Sequence, residues 1–192
     1  MPPVEPYEVL MTGENSFIRL SSDGGKTMTT RLSHWRVLWC PDGSGHALFA
    51  QSDLTGNAVK IYSDNAAVAR WLQKSIESYL HKPFADTSVP IVAAHFTRSG
   101  DPRSAATEKI VGGGDTLIMT WYECLTPFIL SVPPGFMPER PIGVFSTFFP
   151  ARGGQIELNG KFASGTPWAE KRGDRDSSSA CLAWSESWVK PR

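Results

Sequence analysis

Short runs of β-branched and aromatic residues, cut apart by glycine turns every ~8–12 residues, constrain this chain more than any other feature. Residues 16–20 and 26–32 flank Asp23-Gly24-Gly25, and 33–40 and 46–51 flank Pro41-Asp42-Gly43-Ser44-Gly45. The run 57–62 follows Thr55-Gly56. Glycine and aspartate supply the positive φ that hairpin loops demand, so this half predicts an antiparallel meander.

One segment breaks the pattern. Val68, Trp71, Leu72, Ile76, Tyr79 and Leu80 recur at three- and four-residue steps, which predicts an amphipathic helix over 64–81. Arg70, Gln73, Lys74 and Glu77 fall on its opposite, polar face. Ser63 or Asp64 is placed to cap its first turn, and Lys82-Pro83 ends it. The helix is expected to plug one end of a barrel or to cover an open sheet.

The second half returns to strands at 89–96, 108–111, 116–125 and 180–190, with 142–149 and 154–163 expected to pair across Ala151-Arg152-Gly153. Closing so many strands removes the unpaired edges that aggregate. The expectation is a mainly β chain in one domain over 1–192: an antiparallel β-barrel, a calycin-like meander with one α-helix. A two-sheet β-sandwich is the alternative.

Charge and motifs narrow the functions. Lys plus Arg total 19 and Asp plus Glu total 19, so no net field invites nucleic acid or an anionic membrane. No apolar run approaches the ~18 residues a membrane helix needs. The opening Met1-Pro-Pro-Val-Glu-Pro lacks the basic and apolar regions expected of a signal peptide. Cys40, Cys124 and Cys181 sit singly in apolar runs and read as free thiols of a cytoplasmic protein. There is no Gly-x-Gly-x-x-Gly, no P-loop and no Gly-x-Ser-x-Gly, so no cofactor is expected. Cys40 and His46 are too few for a metal, and none is expected.

Alternation sorts the candidate site residues. Leu117, Met119, Trp121 and Glu123 share a face, as do Leu182, Trp184, Glu186 and Trp188. Two strands therefore place a carboxylate in an aromatic row. If these rows face a barrel interior, Trp121, Trp184, Trp188, Trp35 and Trp39 line a hydrophobic pocket and Glu186 orients a ligand. Arg36, beside His34, adds an anion-binding wall. Glu123 and His95 are the expected acid/base pair, with Tyr122 on the opposite face as a third catalytic candidate. The loop 126–141 carries five prolines, and Phe136 and Met137 near its middle are expected to cover the ligand.

The expected function is binding of a small apolar or aromatic molecule, acted on by a cofactor-independent lyase or isomerase through proton transfer. A non-catalytic carrier or sensor is one alternative. An oligomeric interaction protein using the loop 126–141 as a homo-oligomer interface is the other.

Overall fold

The computed structural model describes residues 7–192. The expected hairpins form: β1 (Tyr7–Ser21), β2 (Met28–Cys40), β3 (Gly43–Ser52) and β4 (Val59–Ser63) run as an antiparallel meander. After the helix come β5 (Ile91–Asp101), β6 (Ala105–Gly112) and β7 (Asp115–Cys124), again antiparallel. The chain continues through β8 (Phe128–Val132), β9 (Gly143–Leu158), the short β10 (Lys161–Phe162), the separate hairpin β11 (Ala169–Arg172) and β12 (Arg175–Ser178), and β13 (Ala180–Pro191). β13 pairs with both β9 and β1, and β7 pairs with β9. Nine strands thus close into a barrel, as the edge argument requires, and the sandwich alternative falls. Eight of the nine barrel pairings are antiparallel, whereas β4 and β5 run parallel.

Two expected boundaries are absent. The runs 26–32 and 33–40 form the single strand β2. The runs 142–149 and 154–163 are no hairpin either, because residues 143–158 are one strand, β9. Gly153 and Gly154 are there for closeness, not for turning. A Cβ on Gly153 would lie 2.1 Å from the Tyr122 ring, and one on Gly154 would meet Pro167, Ala180 and Ile18. The two halves of β9 have different neighbours: residues 144–148 pair with β8, and 151–158 pair with β7.

The wall has apolar side chains on both faces. Inward, Ile18, Leu32, Leu48, Tyr62, Ile110, Met119, Trp121, Ile156 and Leu182 pack with their neighbours into one cluster that draws on all nine strands. Outward, Met11, Trp35, Phe49 and Ile61 meet Val68, Leu72 and Ile76 of the helix. The helix therefore lies against the outside of the wall and plugs neither end.

Its local chemistry differs from expectation in two ways. Asn65 is the cap, its side chain accepting from the Ala67 amide. And α1 (Ala66–Leu72) continues through a π-helical turn (Gln73–Glu77) before its last residues, Ser78–Leu80. One extra residue per turn rotates Gln73 and Glu77 off the polar face, and both are fully buried. Gln73 Nε2 donates to the carbonyls of Phe84 and Asp86. Glu77 Oε1 accepts from Ser33 Oγ and Trp35 Nε1, each at 2.6 Å.

Candidate functional site

Strict alternation along β13 would keep Trp184, Glu186 and Trp188 on one face. The strand slips instead: its register against β9 shifts between Trp184 and Ser187, and Ser185 takes φ +51°. This inserted residue turns the strand over. Leu182 and Trp184 stay in the lumen, while Trp188 packs in the outer cluster under the helix. Trp35 follows it there, the two indole centroids 5.8 Å apart.

The outer faces of β9, β13, β1 and β2 form the floor of a groove of about 730 Å³. Phe17, Phe148, Val144 and Trp188 are apolar parts of that floor, and Asn15 and Ser33 are polar parts of it. β8 contributes Phe128, Leu130 and Val132, and the Pro-rich loop contributes Phe136, Met137 and Arg140. Leu80 at the helix end and residues 171–175 at the β11–β12 turn complete the lining. The rim is greasy: Ile129 is 79% exposed and Phe136 73%.

Glu186 sits in this floor and is only 2% exposed. Its Oε1 accepts a short hydrogen bond from Trp188 Nε1. Burial pushes its carboxyl up to about 8, against the opposing pull of Trp188, Ser146 and Arg140. It is therefore largely protonated at neutral pH and presents a donor as well as an acceptor. Arg140 stacks over the Trp188 ring at 5.5 Å from its centroid. Arg19 binds both oxygens of Glu170 at 2.8 Å, Arg172 reaches the same carboxylate at 3.4 Å, and Arg31 Nη2 donates to the Leu80 carbonyl.

The structure thus brings Glu186, Trp188, Phe136 and Met137 to one groove, with Trp35 packed behind Trp188. It does not bring the other named residues there. Trp121 and Trp184 pack in the lumen, and Trp121 Nε1 donates to the Phe17 carbonyl. Trp39 is half-exposed beyond the register shift that follows Val37.

The expected catalytic trio is not a constellation. Glu123 takes φ +55° and is exposed, while Trp121 and Cys124 on either side both pack inward. The left-handed residue breaks the alternation that had aimed Glu123 into the barrel. Tyr122 is 40% exposed on the outer surface and lies over Gly153. His95 is exposed on the outer face of β5, level with Val111, which pairs with Thr116. Thr116 is six residues along β7 from Tyr122, or ~20 Å at ~3.3 Å per residue.

Arg36 belongs to a second polar group, at one end of the barrel, where its side chain is half-exposed. Its guanidinium lies 3.6 Å from Glu14, which also accepts from Arg98 at 2.6 Å. Arg98 binds Glu108 at 2.8 Å and stacks over Trp184. His34 packs against both His46 and Phe96, with neither ring nitrogen hydrogen-bonded. Burial, and then Arg98, hold its imidazole well below the usual range, so it is neutral and its 3.8 Å approach to Glu108 is no ion pair. This group ties strands together across one end of the lumen.

Sequence reasoning missed Arg31, Arg140 and the outer face of β8. Arg140 had a signal: it is the one basic residue in the apolar stretch 126–141. Arg31 had none, since nothing in the local pattern says that the outside of β2 is covered. Among the described residues, no group of three or more His, Cys, Asp or Glu is arranged to hold a metal ion, and no helix is long and apolar enough to cross a membrane. Comparison with known proteins finds no matching family model, no matching curated protein and no matching solved structure.

Proposed function

We propose that this barrel is a small-molecule-binding protein whose site is the groove on its outer wall, and that the ligand presents an apolar or aromatic body to Phe17, Phe128, Phe148 and Trp188. The observation that carries this reading is a concavity of about 730 Å³ lined by aromatic side chains, with one buried carboxyl in its floor. That is the size and make-up of a site for a ligand of drug-like dimensions. Exposed Phe136 and Met137 at the rim supply apolar surface that a ligand would cover.

A neutral fluorescent probe, N-phenyl-1-naphthylamine, tests it. Wild-type protein should take up one equivalent with enhanced emission, and Ser131→Trp or Met137→Trp, each filling the groove, should weaken uptake by about tenfold. Absence of uptake, or uptake indifferent to both substitutions, rejects the groove as the site.

Proton transfer is the second reading, favoured by the position of Glu186. A carboxyl that ionises at about 8 in the aromatic floor of a groove has the placement of a general acid or base. On this reading the lyase or isomerase chemistry belongs to Glu186, and Glu186→Gln would abolish turnover while leaving probe uptake intact.

A further inference from the structure

Six cationic side chains line the groove, against the acidic Asp174 and Glu186. Four of the six have carboxylate partners: Arg19 and Arg172 share Glu170, Lys171 meets Asp176, and Arg175 meets Asp174. Arg31 and Arg140 have none within 4.0 Å among the described residues. Neither extends freely into solvent. Arg31 is partly buried, with one nitrogen on the Leu80 carbonyl. Arg140 has its guanidinium over the Trp188 ring, 5.5 Å from the centroid, with its Nε buried and without a hydrogen-bond partner.

A guanidinium that loses water without gaining a carboxylate is destabilised. Both show it. Burial is the main cause that lowers the proton affinity of each. At Arg31 the more distant Glu77 opposes it, ahead of the smaller effects of Arg19 and Glu170, and at Arg140 the cation of Arg172 adds to burial while Glu186 opposes it. Glu186 offsets the charge of Arg140 only in part, because burial keeps it largely protonated at neutral pH.

We propose that the ligand of this groove is an anionic amphiphile, with an apolar body on the aromatic floor and a carboxylate or phosphate head that takes Arg31 and Arg140 as its counter-ions. The proposal rests on the groove being the binding site. A planar guanidinium with unfilled donors fits the two oxygens of such a head, and the hydrogen bonds are charge-assisted. The groove thus selects for charge at its polar wall while its floor selects only for apolar surface.

A matched series separates the two contributions: 1-decanol, decanoate and decyltrimethylammonium, titrated at neutral pH and followed by tryptophan fluorescence. Decanoate should bind at least about tenfold more tightly than decanol, and the ammonium more weakly than either. Arg31→Gln and Arg140→Gln should each reduce that preference several-fold. Arg140→Lys should restore part of it, which a merely structural role would not predict.

Equal binding of decanol and decanoate, or a preference that survives both substitutions, overturns the anion assignment while leaving the groove as a site. If none of the three chains, nor the neutral probe, binds, the site itself fails and the assignment with it. Cosedimentation with phosphatidylglycerol vesicles tells the source of the head. Retention in the pellet places the amphiphile in a lipid surface, and retention in the supernatant with decanoate bound makes it a free acid. Both support the same chemistry.

Discussion

Glu186 holds its proton because the groove floor removes water from its carboxyl faster than its neighbours compensate for the charge. The groups facing it are Trp188 on its own strand, Ser146 on β9, Arg140 on the loop and, more distantly, Glu14 on β1 and Cys181. Its folded value, about 8, lies above the 4.5 of the free side chain, so the folded state binds more protons between those limits. The stability it contributes is fully present below about 4.5 and is lost as pH rises through about 8. Denaturant unfolding from pH 5 to pH 8 should show wild-type stability falling relative to Glu186→Gln, by up to about 1.4 kcal/mol per pH unit. Parallel pH profiles for the two proteins would refute this. Glu186 and Trp188 were legible in the sequence as neighbours on one strand face, though that face was assigned to the lumen and lies outside it, whereas Phe136 and Met137 stood out as the apolar middle of the Pro-rich loop. Ser185 and Glu123 bear side chains at positive φ, and without a glycine to mark them these reversals leave no trace in the pattern.

At the scale of elements, the helix is held to the barrel by polar as well as apolar contacts. Glu77 accepts from two buried donors, Ser33 Oγ, which itself accepts from Asn15 Nδ2, and Trp35 Nε1. Glu77→Ala should cost about 2–4 kcal/mol, because it strands both donors and leaves a void, whereas Glu77→Gln keeps an acceptor and should cost clearly less. Chemical denaturation of the two variants checks the order, and equal losses would mean that the bonds contribute nothing. The helix itself was readable from its apolar spacing. Its π-turn was not, since the insertion shifts Gln73 and Glu77 inward without altering any residue type. The single strand β9 was misread for the opposite reason. Glycines that admit Tyr122 and Pro167 look, in sequence, the same as glycines that turn a chain.

Across the whole molecule, charged groups meet at one end of the lumen, where Glu14 on β1, Arg98 on β5 and Glu108 on β6 join strands from different parts of the ring. Removing the central cation should be severe. Arg98→Met is expected to destabilise by about 3–5 kcal/mol, more at pH 8 than at pH 5, where the abandoned Glu108 carboxyl, raised by burial, takes up a proton more readily. Adding Glu108→Gln should recover part of the loss, and thermal melts of the single and double variants at both pH values decide it. The barrel was legible as a consequence of turn spacing and edge avoidance, but its closing partners were not, because pairing between β7 and β9 or β13 and β1 is a long-range choice. The parallel pair β4–β5 has a consequence of its own. Directions that strictly alternate around a ring return to their starting sense only if the count is even, and this ring has nine members. One neighbouring pair must point the same way, and such a pair needs a crossover longer than a hairpin. The helical segment between Ser63 and Ile91 supplies that crossover, so replacing it with a tight turn would leave the circle one strand too many or one too few.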